Sequence, residues 1–226
     1  DEGVVAGEAS VDFPTGVAIT EDAGETWQPA AGLRTEGWYA GHFQQIRDGV
    51  VVGSQGRVSL IAGNQLAAPR IEPTGLRALR DISLTNGLDG WAVGDGALAM
   101  QTKNGGVSWS PPAQDFPEQL RMVFDFKAVA SRKKHVWIAG SPGSVIWYSP
   151  DAGQTWQKQL TGQPQPIHSI HFSNERDGCA VGALGTILQT SNAGARWRVV
   201  RGASRRAALL TAHASEDRIP FGAIAK

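Results

Sequence analysis

The stretch Ser149-Pro-Asp-Ala-Gly-Gln-Thr-Trp156 has three near-copies in this 226-residue chain, and the repeated box decides the fold. The other copies are Thr20-Glu-Asp-Ala-Gly-Glu-Thr-Trp27, Thr102-Lys-Asn-Gly-Gly-Val-Ser-Trp109 and Thr190-Ser-Asn-Ala-Gly-Ala-Arg-Trp197. In each copy a hydroxyl residue comes first, an Asp or Asn follows it, then a Gly, and a Trp closes the box.

Each position of the box predicts a structural role. The Asp or Asn side chain accepts backbone N–H groups across a tight turn, and the Gly supplies the positive φ that such a hairpin needs. The Trp is too large and apolar to be left in water, so we expect all four rings to be buried over the sheet. The predicted structural residues are Asp22, Gly24, Trp27, Asn104, Gly106, Trp109, Asp151, Gly153, Trp156, Asn192, Gly194 and Trp197.

A second signature recurs in step with the box. Its five copies are Val4-Val-Ala-Gly7, Val50-Val-Val-Gly53, Trp91-Ala-Val-Gly94, Trp137-Ile-Ala-Gly140 and Cys179-Ala-Val-Gly182. The unit between Gly53 and Gly94 has lost its box and keeps only the turn Ala62-Gly-Asn-Gln65. The chain therefore contains five repeats of one unit, and one of them is degenerate.

Each unit is predicted to contain four strands. In the fifth unit these are Ile167-His-Ser-Ile-His-Phe172, Gly178-Cys-Ala-Val181, Gly185-Thr-Ile-Leu-Gln-Thr190 and Trp197-Arg-Val-Val200. Short β-branched and aromatic runs separated by Gly, Asn and Asp indicate antiparallel sheet, and no sustained helical periodicity is present. A repeat of this length with four strands predicts an all-β fold, a β-propeller of four-stranded antiparallel blades.

The predicted propeller repeats cover residues 1–206, with units at about 1–30, 38–68, 76–112, 121–160 and 165–201. Residues 207–226 are predicted to form a closing strand, a strand of a next blade, or the start of a further segment. Two blade numbers stay open. Either Leu209-Leu-Thr-Ala-His213 pairs with residues 1–30 and closes a five-bladed ring, which removes exposed edges, or the chain is an excerpt of a longer ring. We favour the excerpt, because the chain starts without Met.

Composition excludes several classes of function. The 21 basic residues balance 21 acidic ones, so no net charge favours nucleic acid or an anionic membrane. No apolar run is long enough to span a membrane. His168 and His171 lie three apart on a predicted strand and point to opposite faces, and the other histidines have no suitably spaced partner. We therefore predict no metal, no cofactor and no catalytic residues.

The pattern from Gly90-Trp-Ala-Val-Gly94 to Gly105-Gly-Val-Ser-Trp109 resembles the BNR/Asp-box propellers. Among these it is most similar to the photosystem II stability/assembly factor family and its bacterial relatives of unknown role. The resemblance implies a typically seven-bladed, non-catalytic scaffold that binds a protein partner such as a membrane-protein precursor. It also implies an exported protein in a periplasmic, extracellular or lumenal compartment. The chain departs from the pattern by losing one box and by carrying Asn in two others.

The alternative is a sialidase-like propeller that binds or hydrolyses glycans, because sialidases share the box. Retaining sialidases need an arginine cluster, a Tyr nucleophile with a Glu partner, and an acid/base Asp. The chain has only Tyr39 and Tyr148, which we interpret as a packing or rim residue and as a structural strand residue. Arg218-Ile-Pro220 resembles a sialidase motif but follows the last box instead of preceding the first. We therefore predict a protein that is not an enzyme.

The predicted binding surface lies opposite the boxes. In a four-stranded blade the boxes share one face with the loops between the first and second strands, while the second-to-third turns and the interblade connections form the other. Variable loops are where binding residues concentrate. The first unit has a longer loop there, Glu8-Ala-Ser-Val-Asp-Phe-Pro-Thr15. The predicted binding residues are Asp12, Phe13, Arg34, Glu36, Trp38 and Arg70.

Overall fold

A computed structural model describes residues 1–72 and 74–202 of the chain. In these residues the chain forms five antiparallel sheets and one short parallel pair, with no α-helix. The predicted strand at 209–213, the segment 207–226 and Arg218-Ile-Pro220 lie outside the described residues.

The strands follow one another along the chain in the order in which they pair. The first sheet contains β1 (Gly3–Ala6), β2 (Val17–Thr20) and β3 (Gln28–Pro29). The second contains β4 (Trp38–Gln45), β5 (Asp48–Gly53), β6 (Val58–Ala62) and β7 (Gln65–Ala67). The connection that follows forms β8 (Arg70–Ile71).

The third sheet contains β9 (Leu79–Thr85), β10 (Asp89–Gly94) and β11 (Leu98–Thr102), and β12 (Ser108–Trp109) pairs in parallel with β8. The fourth contains β13 (Asp125–Arg132), β14 (His135–Ser141), β15 (Ile146–Ser149) and β16 (Gln157–Gln159). The fifth contains β17 (Ile167–Phe172), β18 (Gly178–Gly182), β19 (Ile187–Thr190) and β20 (Arg198–Arg201). Short 3-10 turns lie at Ser54–Gly56, Glu118–Met122 and Ala183–Gly185.

The sheets pack face to face, with β4, β9, β13 and β17 in contact one after another as the inner strands. The hydrophobic core lies between neighbouring sheets, where apolar side chains of both faces are buried together. The interfaces contain Val50, Leu84 and Trp109 (second and third sheets), Trp91, Phe126 and Ile138 (third and fourth), and Trp137, Phe172 and Leu188 (fourth and fifth). The prediction of an all-β propeller with antiparallel blades is confirmed.

The box at residues 149–156 is closed by its own side chains. The Ser149 hydroxyl donates to Asp151 Oδ1 (2.8 Å) and accepts the Gly153 N–H (2.8 Å). Asp151 Oδ1 also accepts the Thr155 N–H (2.8 Å), and Asp151 Oδ2 accepts the Thr155 hydroxyl (2.7 Å). Gly153 has φ +81°, a left-handed conformation that glycine adopts without strain. Side chains within the box therefore supply most of the hydrogen bonds that close the turn.

Boxes with Asn keep the same backbone bond as boxes with Asp. Asn104 Oδ1 accepts the Ser108 N–H at 2.9 Å, and Asn192 Oδ1 accepts the Arg196 N–H at 2.9 Å. What changes is the second side-chain oxygen, which an amide replaces by a donor. The amide of Asn104 accordingly donates to the Ser108 hydroxyl at 2.8 Å.

These bonds give a graded prediction at Asp151. Asp151→Ala removes the acceptor of three hydrogen bonds, so we expect the free energy of unfolding to fall by about 1–2 kcal/mol. Asp151→Asn keeps the backbone bond, and we expect a loss of less than about 1 kcal/mol. Urea unfolding of the two variants beside the parent chain measures the difference. Equal losses would show that the backbone acceptor does not stabilise the turn.

Each box lies at the end of its sheet where the first strand turns into the second. The Ala152 N–H donates to Lys134 O at 2.7 Å, and the Ala193 N–H donates to Arg176 O at 2.9 Å. We call this end the box face. The opposite end carries the second-to-third turns and the connections between sheets, and we call it the connection face.

Trp109 and Trp197 are buried and Trp156 is partly buried, whereas Trp27 is the most exposed of the four box tryptophans. Trp109 is 2% exposed and Trp197 7%, while Trp27 is 37% exposed. The expectation that all four rings are buried is therefore wrong for Trp27. Trp27 differs because a box Trp is buried by packing on the preceding sheet. Trp156 of the fourth box unit, for example, packs edge-on to Trp91 of the third sheet, with ring centroids 5.5 Å apart. Within the described residues no sheet precedes the first.

Candidate functional site

The first strands of the second to fifth sheets share an irregularity at the connection face. In each strand a β-bulge directly follows a large buried apolar residue, and the bulged residue has no partner on the second strand. The bulged positions hold Tyr39, Arg80, Lys127 and His168, which we call the bulge residues. Bulges re-aim a side chain, and they are frequent beside functional sites. Each of four sheets thus places one polar side chain at equivalent positions of its inner strand.

Asp95 ties two of the bulge residues together. Its carboxylate accepts both Nε (2.9 Å) and Nη2 (2.6 Å) of Arg80 and lies 3.2 Å from Lys127 Nζ. The Arg80 hydrogen bond is the main reason that the pKa of Asp95 is held below its ordinary value. Lys127 Nζ also lies 3.4 Å from Asp125 Oδ2, and the Arg80 guanidinium lies 4.6 Å from the centre of the Tyr39 ring. Two cations are thus balanced by two carboxylates in fixed positions.

Exposed apolar side chains also lie in the loops of the connection face. Leu33 and Leu76 are each 84% exposed, Met122 is 88% and Val123 is 61% exposed, and they precede the first strands of the second, third and fourth sheets. Val11, 89% exposed, lies in the long loop between β1 and β2 of the first sheet. We call these five residues the apolar crown. One exposed apolar residue is ordinary, but several on one face are typical of an interaction surface.

Two arginines brace the loops that carry the crown. Arg57 Nη1 donates to Arg34 O at 3.2 Å. Arg77 donates through Nε to Thr74 O (2.9 Å) and through Nη1 to Gly96 O (3.1 Å). Partial burial is the main reason that the pKa of Arg77 lies below its ordinary value, with a smaller contribution from Arg121. These guanidinium groups therefore act as ties between backbone segments of neighbouring loops.

Four sequence-predicted residues meet on one part of the connection face. The loop that carries Asp12 and Phe13 is closed by the Ser10 hydroxyl, which accepts the Phe13 N–H at 3.0 Å. The Thr35 N–H donates to Pro14 O at 3.2 Å, which places this loop beside Arg34 and Glu36. Asp12, Arg34 and Glu36 are exposed and Phe13 is half-buried. The structure brings these four residues together.

Trp38 and Arg70 lie elsewhere, and their prediction as binding residues is corrected. Trp38 is 7% exposed, and its ring N–H donates to Thr15 O at 2.8 Å inside a cluster with Val51 and Ile61. It is the buried first residue of β4, just before the bulge at Tyr39. Arg70 lies in β8, whose pairing with β12 carries it to the box of the third sheet.

The bulge residues and the crown were missed from the sequence. A signal for the bulge residues was present, since each directly follows a large apolar residue at the start of a strand. A prediction that assumes strict alternation along the strand assigns the bulge residues to the wrong face of the sheet, because a bulge shifts the alternation by one residue.

The two tyrosines have structural partners. The Tyr148 hydroxyl lies 2.6 Å from His135 Nδ1, and its ring stacks on Trp137 with centroids 5.5 Å apart. Burial is the main cause that raises the pKa of Tyr148. Tyr39 is 47% exposed and holds its ring against Arg80. Among residues 1–72 and 74–202, no group of three or more His, Cys, Asp or Glu side chains could hold a metal ion. In the same residues no helix is long and apolar enough to cross a membrane.

Comparison with known proteins finds photosystem II assembly factors. A family model described as "Photosynthesis system II assembly factor YCF48" matches residues 73–208. The photosystem II assembly lipoprotein Ycf48 of Synechococcus sp. (strain CC9902) is 30% identical over 125 residues, which are 52% of this chain and 35% of that protein. The chloroplastic photosystem II stability/assembly factor HCF136 of Arabidopsis thaliana is 29% identical over 111 residues, 48% of this chain and 27% of that protein.

A solved structure described as YCF48 from Cyanidioschyzon merolae superposes with a TM-score of 0.51 at 26% identity, over 58% of this chain and 42% of that one. The matched region spans about a third of the length of the curated relatives, at 35% and 27%. The likeness to this structure supports the propeller fold.

Proposed function

The chain belongs to the photosynthesis system II assembly factor YCF48 family, and from this premise we propose that it is a non-catalytic scaffold that binds a protein partner through its connection face. The relatives are named as assembly or stability factors. We propose a membrane-protein precursor as the partner, which is the class that the family resemblance implies. Scaffolding requires only a specific surface, and no reacting group.

The observation that carries this proposal is the chemistry of the connection face. Binding surfaces are enriched in Met, Arg and aromatic residues beside apolar side chains. The connection face combines the apolar crown with Tyr39, Arg34 and Arg80, and Met122 is itself 88% exposed. The four bulge residues add hydrogen-bonding side chains at equivalent positions of neighbouring sheets.

A glycan-binding or glycoside-hydrolysing propeller is the less favoured alternative. A sialidase-type nucleophile would have to come from Tyr39 or Tyr148. The Tyr148 hydroxyl is paired with His135, and the Tyr39 ring is packed by a guanidinium instead of being paired with a Glu base. These contacts support a protein that does not catalyse glycoside hydrolysis.

Site-specific photo-crosslinking in the native host tests the scaffold proposal. A photoreactive amino acid at Leu76 replaces an 84% exposed residue of the connection face, and one at Leu88 replaces a 57% exposed leucine of the same sheet on the box face. We expect Leu76 to yield a discrete adduct that mass spectrometry identifies as a membrane-protein precursor, and Leu88 to yield none. Adducts from Leu88 alone, or from neither position, would contradict the proposal.

A further inference from the structure

We propose that two copies of this chain associate through the box face, in a two-fold symmetric dimer held by opposite charges. The box face lies opposite the proposed partner-binding surface, so this dimer goes beyond the scaffold function. Three features of the face carry the dimer: its loops form one continuous surface, its charges are segregated into two halves, and exposed apolar side chains lie where the halves meet.

Contacts between neighbouring sheets tie the boxes and turns of this face together. Arg47 Nη2 of the second sheet donates to carboxylate oxygens of Glu2 (3.0 Å) and Glu21 (2.8 Å) beside the first sheet. Gln44 Nε2 of the second sheet donates to Gly87 O of the third at 3.0 Å. Two further contacts join the third sheet to the fourth and the fourth to the fifth: Gln101 with Ala152 O, and Lys133 with Glu175. The loops of the box face are therefore fixed relative to one another.

Charges on the box face are segregated. The acidic half covers the first two sheets, where five carboxylates accompany the single guanidinium of Arg47: Glu2, Glu21, Asp22, Glu25 and Asp48. The basic half consists of the boxes and first-to-second turns of the third to fifth sheets, which carry six cations: Lys103, Arg132, Lys133, Lys134, Arg176 and Arg196. The two halves therefore carry opposite charge on one surface.

The four carboxylates in the basic half already have partners. Asp151 is hydrogen-bonded within its own box, and Glu175 is paired with Lys133. The other two, Asp89 and Asp177, each accept a hydrogen bond from the asparagine amide of the same turn, at 3.2 and 2.8 Å. The cations of this half therefore remain available to a binding partner.

Each half also contains exposed charges that the fold leaves unpaired. Within the described residues, Lys103 and Lys134 of the basic half form no ion pair, and neither do Glu25 and Asp48 of the acidic half. Exposed charges of opposite sign gain most when a partner brings them together and water is displaced.

Exposed apolar side chains lie where the two halves meet. Ile46, in the turn of the second sheet, is 49% exposed. Leu88 (57%) and Val107 (54%) lie in the turn and in the box of the third sheet. The Gly105 N–H donates to Leu88 O at 2.8 Å, which holds this turn against the box. Apolar side chains surrounded by a charged rim are the arrangement found in specific protein interfaces.

A second copy of the chain is the occupant that matches both halves. In a two-fold dimer both copies use the same surface, so the acidic half of each copy meets the basic half of the other, and the favourable pairing forms twice. An anionic membrane matches only the basic half and is repelled by the acidic half in the same face. In such a dimer the two connection faces point away from the shared interface, and each stays free to bind a partner.

Sedimentation equilibrium of the parent chain tests the dimer. We expect a monomer–dimer equilibrium whose Kd rises at least about ten-fold between about 0.05 M and about 0.5 M salt, because salt screens exposed charges. A chain that stays monomeric at low salt up to roughly 100 μM would overturn the inference. A dimer whose Kd does not respond to salt would overturn it as well.

Two charge-reversed variants locate the interface. One is Glu25→Lys with Asp48→Lys, and the other is Lys103→Glu with Lys134→Glu. Each alone is expected to weaken its own dimer at least about ten-fold, because halves of like charge then face each other. An equimolar mixture is expected to form a mixed dimer with a Kd within about three-fold of the parent value, because every half then meets one of opposite sign. All four positions are exposed, so both variants are expected to keep the parent circular dichroism spectrum and Tm.

Glu72→Lys with Glu118→Lys is the matched control. Both carboxylates are exposed and lie on the connection-face side, and the net charge changes as in the reversed acidic half. We expect the Kd of the dimer to stay within about two-fold of the parent value. An equal loss in this control, or a mixture of the two reversed variants that stays monomeric, would overturn the inference.

Flotation with vesicles that contain an anionic phospholipid distinguishes a membrane from a second copy. We expect the parent chain not to float with the vesicles. Flotation that is lost in the Lys103→Glu, Lys134→Glu variant would assign the box face to a membrane and overturn the dimer. The scaffold function is tested separately, by precursor adducts from Leu76. A Leu88 adduct that contains only a second copy of this chain supports the dimer and does not bear on the scaffold.

Discussion

Trp109→Ala is expected to lower the free energy of unfolding by about 3–5 kcal/mol, whereas Trp27→Ala is expected to lower it by about 1–2 kcal/mol. Both residues close a box and occupy the same position in it. Trp109 is 2% exposed and packs with Val50 and Leu84 of neighbouring sheets. Trp27 is 37% exposed, so its removal creates a smaller cavity and exposes less apolar surface.

The two variants control for each other because both remove the same hydrogen bond, from the Trp ring N–H to the carbonyl of the box glycine. The ring N–H donates to Gly106 O at 2.9 Å in one box and to Gly24 O at 3.2 Å in the other. Urea or thermal unfolding of both variants beside the parent chain gives the comparison. Equal losses would contradict the view that a box Trp stabilises the fold by packing against the preceding sheet.

Gly140→Ala is the second substitution with a large expected effect. A Cβ at Gly140 would overlap Asp125 O and lie 2.9 Å from Phe126 Cα, and both obstacles are backbone atoms of the adjacent first strand. Phe126 is fully buried, so this strand cannot move away without disturbing the core. We expect a loss of about 1–3 kcal/mol or more, as for other overpacked sites. Only glycine fits at position 140 because the backbone of β13 comes so close to β14 beside the bulge that it leaves no room for a Cβ atom.

Gly7→Ala is the matched control, because Gly7 holds the same place in the first repeat and a Cβ there meets nothing within 4 Å. The first sheet has no strand that crowds this position in the described residues. We expect Gly7→Ala to change the free energy of unfolding by less than about 0.5 kcal/mol. A neutral Gly140→Ala, or a Gly7→Ala that is equally costly, would show that the repeated glycine has another cause.

Local features of the fold were predictable from the sequence because they depend on neighbours in the chain. The Asp151 turn needs only residues 149–156, and its hydrogen bonds are those expected from the residue types. The burial of Trp27 was not predictable in this way, since it depends on a sheet that must pack against it from outside the box. The same period that revealed the repeats predicted the strands, because each repeat contributes one sheet.

The candidate site was predicted in part. The loop with Asp12 and Phe13 and the connection with Arg34 and Glu36 were assigned to one face, and the structure joins them through the bond from Thr35 N–H to Pro14 O. Trp38 was wrongly predicted to be a binding residue. It is equivalent to Leu79, the buried first residue of β9, and this equivalence becomes visible only when the inner strands are aligned in the structure. Arg70 was misplaced because two-residue strands such as β8 leave almost no pattern in a sequence.

Binding through the connection face is tested most directly by hydrogen–deuterium exchange with and without the partner captured from Leu76. We predict slower exchange in residues 33–39, 54–57, 74–80 and 118–127. These ranges contain four of the five crown residues, the two arginines Arg57 and Arg77, and three of the bulge residues. The boxes at 102–109 and 149–156 are predicted to exchange at unchanged rates. Protection of the boxes, with the connection face unchanged, would contradict binding through the connection face.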